Sequence, residues 1–495
     1  MWTVKFLKNC WDSLKSLLKI CRRLILHNLI VQRDNERIRR PVKPSKLDRF
    51  LCLFTDVHAG EGSTALLMFA NVFLILCAYY FIKPLREGWI AVSDISGLSK
   101  MEVKAYSSFG QSLLLIPVVW FYGRLSGRYR RSDLITRSTL FCISNLAVFW
   151  VIQPGLFIEN LPYTGVVFYL WVGMFGVFVV AQFWAFAADL YTKERGHRLF
   201  PLIAIGATAG AACGSWITEV LVGSGFFGTE MLLIAAMIPL TASIALSKMV
   251  DNRKLEQTAG TEAAPDSGIE DSGRSAISIV FSSRFLIAIA VITLLLSWVN
   301  TNGENLLFRV VQEFLTGDAL KVGISDSDTL LVFTRDGTTA FYGDFYFWVN
   351  IVALLLQAFV ASRLLKFGGF GVILLTMPMV ALISYTAMAF VPILAIVKAM
   401  KIIENSTDYS INNTARNVLW LPASAEMKYK GKPTIDSLFV RMGDGIAALT
   451  VLVGVQLLAL STQSFFVLNV VIVFIWIVFA FVVIREHRRL SEQSG

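Results

Sequence analysis

Runs of mostly apolar residues alternate along this chain with short polar and basic breaks. The runs lie near 63–82, 107–125, 134–153, 164–188, 199–221 and 226–247, then near 285–307, 340–364, 371–391, 392–416, 435–460 and 464–484. At about 1.5 Å per helical residue, roughly 17–25 such residues cross a hydrocarbon core about 30 Å thick. Between the two sets lies DNRKLEQTAGTEAAPDSGIEDSGRS, rich in Gly, Ser, Thr and acids, which reads as a flexible linker. The pattern predicts an all-α polytopic membrane protein of twelve transmembrane helices in two pseudo-symmetric six-helix halves. The expected divisions are an N-terminal segment 1–62, a first half 63–247, a linker 248–284, a second half 285–484 and a tail 485–495.

One span departs from the pattern. VKAMKIIENSTDYSINNTAR, residues 397 to 416, holds three basic residues, two acids and three Asn. Charge in the loops bears on whether it crosses. The first 62 residues carry 13 Lys and Arg, GRLSGRYRR four, TKERGHR three and the tail REHRR three, whereas the breaks near 154–163, 222–227 and 461–463 carry none. Basic residues collect on the cytosolic side, so this alternation puts both termini in the cytosol, and parity then requires 392–416 to cross.

Within that span Lys398, Lys401, Asn405, Asp408 and Asn412 step by 3, 4, 3 and 4, which places them on one face of a helix. A charge facing lipid at mid-bilayer costs about 2.5–3.5 kcal/mol, so Lys398, Lys401, Glu404 and Asp408 together would cost about 10–14 kcal/mol. The stripe is therefore expected to face water or opposite charge inside a bundle. Two readings stand side by side: neutralisation within the helix, with Lys401 three residues from Glu404, or a substrate pathway running the depth of the span.

Other spans supply polar faces: Asn71, Tyr79, Lys83 and Arg86 in the first, Thr208, Ser215 and Glu219 in the fifth, and Thr293, Ser297, Asn300 and Glu304 in the seventh. Arg441 and Asp444 lie inside the eleventh, three apart, and fit an intrahelical ion pair as well as a ligand site. A cavity holding Lys83, Arg86, Lys398, Lys401, Arg416 and Arg441 would suit an anionic, phosphorylated solute.

A composition that is 55% hydrophobic and 16% charged, with a mean hydropathy of +0.62, excludes an ordinary soluble domain. The net charge of +10 is explained by positive-inside topology, so no nucleic-acid partner is expected. Upstream, Trp11, Leu14, Leu18, Cys21 and Ile25 recur at helical spacing among Lys15, Lys19, Arg22 and Arg23. This fits a basic amphipathic helix on anionic lipid, with a transit peptide as the competing reading. Six cysteines without CxxC spacing and four scattered histidines give no disulfide framework and no metal site, and no cofactor is expected. No paired acid–base motif suggests an enzyme. GATAGAACG spaces Gly206, Gly210 and Gly214 for close helix packing, not for phosphate binding, since no GK[ST] follows. Asp326 and Asp328 imitate a DxD motif but sit in a polar break that reads as a turn.

Several stretches resemble the ATP/ADP translocases of plastids and obligate intracellular bacteria and their wider bacterial relatives. They are DVHAGEG, AYYFIKPLREG, AQFWAFAADLYTKERGHRLFPLIAIGATAG, AFYGDF and LPASAEMKYKGKPTIDSLFVRMGDG, and the likeness runs from about 53 to 485. It implies a major-facilitator-like fold in a bacterial cytoplasmic membrane that exchanges nucleotides by alternating access. Family charges carry over to Lys83 or Arg86, Glu194, Glu304 and Lys432. The chain departs from the family at Arg86-Glu87, where Arg-Asp is expected, at Leu307-Phe308, where Trp-Lys is expected, and at Gly127 in GRLSGRYRR, where an Asp belongs. The alternative expectation is a non-transporting membrane scaffold or sensor that keeps the fold. The two similar basic blocks suggest a gate of Glu194, Arg198, Lys432 and Asp436 paired between the halves, or else solvated loop charges.

Overall fold

The computed structural model describes residues 57–58, 61–126, 131–153, 163–191, 193–225, 228–258, 275–324, 326–424 and 426–494. The expected amphipathic helix around Trp11–Ile25 and the middle of the linker lie outside these residues. The chain divides into two compact units, Met1–Ala65 and Leu66–Gly495. The second unit holds the helical body described below.

The described residues are helical with short connections. The first series is α1 (Gly62–Val92), α2 (Lys100–Ser126), α3 (Arg131–Ile152), α4 (Thr164–Leu190), α5 (Lys193–Gly223) and α6 (Glu230–Thr258). A short α7 (Ala276–Ser282) precedes α8 (Arg284–Val322), α9 (Ser327–Leu356) and α10 (Ser362–Phe390). Then come α11 (Leu394–Thr407), α12 (Asn413–Leu419), α13 (Lys432–Thr434), α14 (Val440–Leu452) and α15 (Thr462–Ser494). Wide turns, in which each bond spans one extra residue, interrupt this second series at Gln357–Ala361, Asp408–Asn412, Met427–Gly431, Ile435–Phe439 and Val453–Leu457.

Nine helical segments among the described residues are long and apolar enough to cross a membrane. The difference from the expected twelve has three sources. The expected spans 340–364 and 371–391 fall in one continuous run, Ser327–Phe390, which the wide turn at Gln357–Ala361 and a left-handed Gly369 interrupt. The expected spans 107–125 and 392–416 form helices but are not among the nine. The linker differs as well, because α6 continues to Thr258 and α7 occupies 276–282.

Met68, Val72, Phe81, Phe168, Phe183 and Leu240 belong to an apolar core within the first series; a second core around Phe285, Leu307, Tyr342, Met377, Phe465 and Val473 also takes in Tyr80, Ile90, Met101 and Tyr169 of the first. The two series meet most extensively along α5 with α9, and again along α2 with α14. Small residues permit both approaches. A Cβ on Gly343 would lie 2.9 Å from the Glu219 backbone nitrogen, and one on Gly445 would lie 2.8 Å from the Phe109 ring. GATAGAACG packs α5 on α1, as its spacing predicts: a Cβ on Gly210 would stand 2.2 Å from the Phe73 carbonyl oxygen.

Asp326 caps α9, its carboxylate accepting from the Thr329 N–H at 3.0 Å and hydroxyl at 2.8 Å. These bonds hold its pKa below the usual carboxylate value. The DxD-like pair is thus a helix start.

Candidate functional site

Residues 93–99, 224–225, 228–229, 323–324 and 458–461 lie at one end of the helical body, called distal here; the end of α2 at Ser126, the start of α3 at Arg131 and residues 420–424 lie at the proximal end. Between them, charge gathers where α1, α2, α8, α9, α10 and α11 face one another.

The geometry of α1 follows from its sequence. Pro84 has no N–H to offer the Tyr80 carbonyl one turn back, and Thr218 of α5 donates its hydroxyl to that oxygen instead, at 3.2 Å. Around this point α1 presents Tyr79, Tyr80, Lys83, Arg86 and Glu87. The Lys83 ammonium lies over the rings of Tyr346 (3.9 Å), Tyr80 (4.9 Å) and Tyr79 (5.9 Å). Lys83 is 9% exposed and makes no ion pair or hydrogen bond with a described residue. Three π faces attract a cation but do not neutralise it. Arg86 stacks on Tyr169 at 4.5 Å and bridges Glu87 at 2.9 Å.

Glu87 also meets Lys104 of α2 at 2.9 Å, and both side chains are almost wholly buried. Lys104 donates across the halves to the Glu304 carbonyl oxygen (3.2 Å) and the Tyr342 hydroxyl oxygen (3.3 Å). From α11, Lys401 reaches Glu404 at 2.8 Å and Glu304 at 3.4 Å, while Asn405 donates to Glu304 at 2.9 Å. The Tyr385 hydroxyl donates to Glu404 at 3.0 Å. Gly303 makes this possible, since a Cβ there would stand 2.0 Å from the Tyr385 hydroxyl oxygen and 2.9 Å from the Lys401 ammonium.

The structure thus brings Lys83, Arg86, Glu304, Lys401 and Asn405 into one neighbourhood. Along α11 the polar stripe turns inward while Ala399 and Ile403 are exposed. Lys398 is drawn aside into an ion pair with Asp344. Asp408 accepts from Asn412 at 2.6 Å in its own wide turn. Arg416 lies nearer the proximal end, paired with Asp436 at 2.7 Å within the same half. That pair differs from the inter-half role expected for Asp436, because the chain returns from α12 through α13 and sets Asp436 beside Arg416. Arg198 and Lys432 are both half-buried, and the Glu194 side chain lies outside the described residues.

Arg441 and Asp444 form a second cluster. They pair at 3.1 Å, and Asp444 also accepts from Ser112 of α2 (2.7 Å) and from Ser297 and Thr301 of α8 (2.9 and 2.8 Å). Their pair is intrahelical and also joins the halves. At the distal end further contacts cross between halves. Arg335 donates to Glu230 (2.8 Å), Thr229 to Asp336 (3.0 Å) and Gln456 to Glu102 (2.8 Å).

Sequence reasoning missed Lys104, Glu87 as a partner, Asp344 and the tyrosines 169, 342, 346 and 385. Lys104 stands in the first turn and a half of α2, where a lysine normally reads as a solvated helix end. The YxxxY spacing of Tyr342 and Tyr346 was the one legible signal, a repeated aromatic on one face of α9.

The TLC ATP/ADP transporter family profile matches residues 367–489. ADP,ATP carrier protein 1 of Chlamydia trachomatis is 19% identical, over 78% of this chain and 81% of the carrier. ADP,ATP carrier protein 1 of Chlamydia pneumoniae is 29% identical over 28% of this chain, an alignment that spans 32% of that carrier's length. Among solved structures, an auto-inhibited POT family peptide transporter superposes with a TM-score of 0.56 at 12% identity, covering 86% of this chain and 97% of the transporter. The fold is major-facilitator-like, and the chain is an integral membrane protein with sequence similarity to ATP/ADP carriers.

Proposed function

We propose that this relative of the ATP/ADP translocases is a secondary active transporter that moves a nucleotide-like anion across a membrane by alternating access. The observation that carries the reading is Lys83: a buried ammonium between the two halves, caged by tyrosine rings and without a carboxylate of its own. A buried charge without a counter-ion is costly, and a phosphate group supplies the missing one. The tyrosine faces of the cage also suit a stacked base. Arg86 and Lys104 stand next to it and share the one carboxylate of Glu87, so the three keep a net positive charge that adds to the field of Lys83. Lys401 is held by Glu404 and Glu304, and an arriving phosphate competes for it against both.

The distal contacts of Arg335, Asp336 and Gln456 fit a state closed at that end, which the loop charges assign to the outside of a bacterial cytoplasmic membrane, with both termini cytosolic. In the opposite state Glu194, Arg198, Lys432 and Asp436 would close the proximal end, Asp436 then leaving Arg416.

The test is uptake into proteoliposomes loaded with nucleotides, using labelled ATP, ADP, other nucleotides and sugar phosphates. Saturable uptake that needs a counter-substrate inside is expected. Absence of uptake and of binding for the whole panel, by monodisperse inserted protein, would leave the scaffold reading in its place.

A further inference from the structure

A second charged site lies outside this centre, at the proximal end of the second half. A cavity of about 800 Å³ opens between the start of α8 and the end of α15. Arg284, Arg485, Arg488 and Arg489 line it, with Glu486 and Glu492 the only acids. Arg489 meets Glu486 at a loose 4.0 Å, and Arg284, Arg485 and Arg488 form no ion pair with a described residue. The rest of the wall is apolar: Ile287, Ala288, Phe479, Phe481, Val482 and Ile484.

We infer that this cavity binds the headgroup of an anionic diacyl phospholipid from the proximal leaflet. Three guanidinium groups without an ion-pair partner among the described residues, converging on one cavity with four arginines to two acids, match a phosphate diester. What selects a lipid over a soluble phosphate is the surface leading into the cavity. Val471, Phe474, Val478, Phe481 and Val482 of α15 are each between 40% and 62% exposed and recur at helical spacing up to Arg485. From Val471 to Arg485 this apolar stripe runs about 21 Å at 1.5 Å per residue, a length an acyl chain can follow. Positive-inside topology alone asks only that basic residues lie near the surface. It does not ask that three unpaired ones share a cavity roofed by arginine and floored by hydrocarbon.

The floor is held in place by packing. His487 stacks on Phe370 of α10 at 3.8 Å, and a Cβ on Gly371 would meet Ile484 at 3.6 Å, so α15 is seated against α10 beside the cavity. Arg485, Arg488 and Arg489 therefore project from a fixed helix end, facing Arg284 at the start of α8.

The experiment is native mass spectrometry of the full chain released from nanodiscs containing phosphatidylglycerol and phosphatidylcholine in equal amounts. Wild-type protein should retain phosphatidylglycerol preferentially. Each of Arg284→Gln, Arg485→Gln and Arg488→Gln should weaken that retention about fivefold, the effect of one basic residue at an anionic surface. Arg363→Gln with Lys366→Gln, which removes charge from the same end but outside the cavity, should leave it unchanged. Equal retention of both lipids by wild type would overturn the proposal, as would equal loss in the Arg363/Lys366 control. Displacement of the lipid by millimolar inorganic phosphate would overturn it in favour of a soluble anion.

Discussion

Replacing Lys401 with Met tests the charge balance of the centre. Lys401 and Glu404 are each 1% exposed at the side chain and 2.8 Å apart, so the substitution strands a buried carboxylate with only the Tyr385 hydroxyl for company. Removing one partner of a buried pair costs about 3–5 kcal/mol. Glu304 is placed differently: it is 24% exposed, 3.4 Å from Lys401, and also accepts from Asn405 at 2.9 Å. Two double-mutant cycles, measured by denaturant titration in bicelles, separate the contributions. Lys401→Met with Glu404→Gln should recover much of the loss, giving a coupling on the order of 2–3 kcal/mol, whereas Lys401→Met with Glu304→Gln should couple by less than about 1 kcal/mol. The order of the two couplings follows from distance and exposure alone. Equal couplings, or a Glu404 coupling below about 0.5 kcal/mol, would refute the reasoning.

Lys83→Met should leave the protein folded, because no carboxylate is stranded, and should lower uptake by at least about tenfold if one charge-assisted contact to phosphate is lost. A normal uptake rate with normal substrate affinity would remove Lys83 from the site. Gly210→Leu should abolish recovery of monodisperse protein, since even a Cβ would stand 2.2 Å from the Phe73 carbonyl oxygen, and size-exclusion chromatography reads the result. Arg335→Gln loses its ion pairs to Glu230 and Asp336 at the distal end, so paired spin labels across that end should report a larger distal-open fraction than in wild type. Unchanged distance distributions would show that those pairs do not bias the equilibrium.

The sequence by itself determined the helices, the polar face of α11 and the close packing of α5 on α1. Each of these is a local matter. A run of apolar residues can satisfy its backbone bonds only within itself in lipid, and residues three and four apart share a face whatever lies opposite. Gly206, Gly210 and Gly214 announce a close approach without naming Phe69, Phe73 and Cys77 as what is approached. The stripe from Lys398 to Asn412 is legible in the sequence, but its ion partners are not: nothing near Lys398 in the chain points to Asp344 as the acid it meets. Tertiary structure alone decided the pairs that make the centre. Lys104 reaches Glu304 and Tyr342 across 200 and 238 residues of chain, and Ser112 reaches Asp444 across 332. Such contacts depend on which helix faces which and at what depth, and periodicity along one helix carries neither. The same holds in part for Lys83: Tyr79 and Tyr80 lie one turn away on α1 itself, but the nearest ring, Tyr346, closes the cage only because α9 crosses at that level, with Gly88 close beneath Arg335 and Thr339.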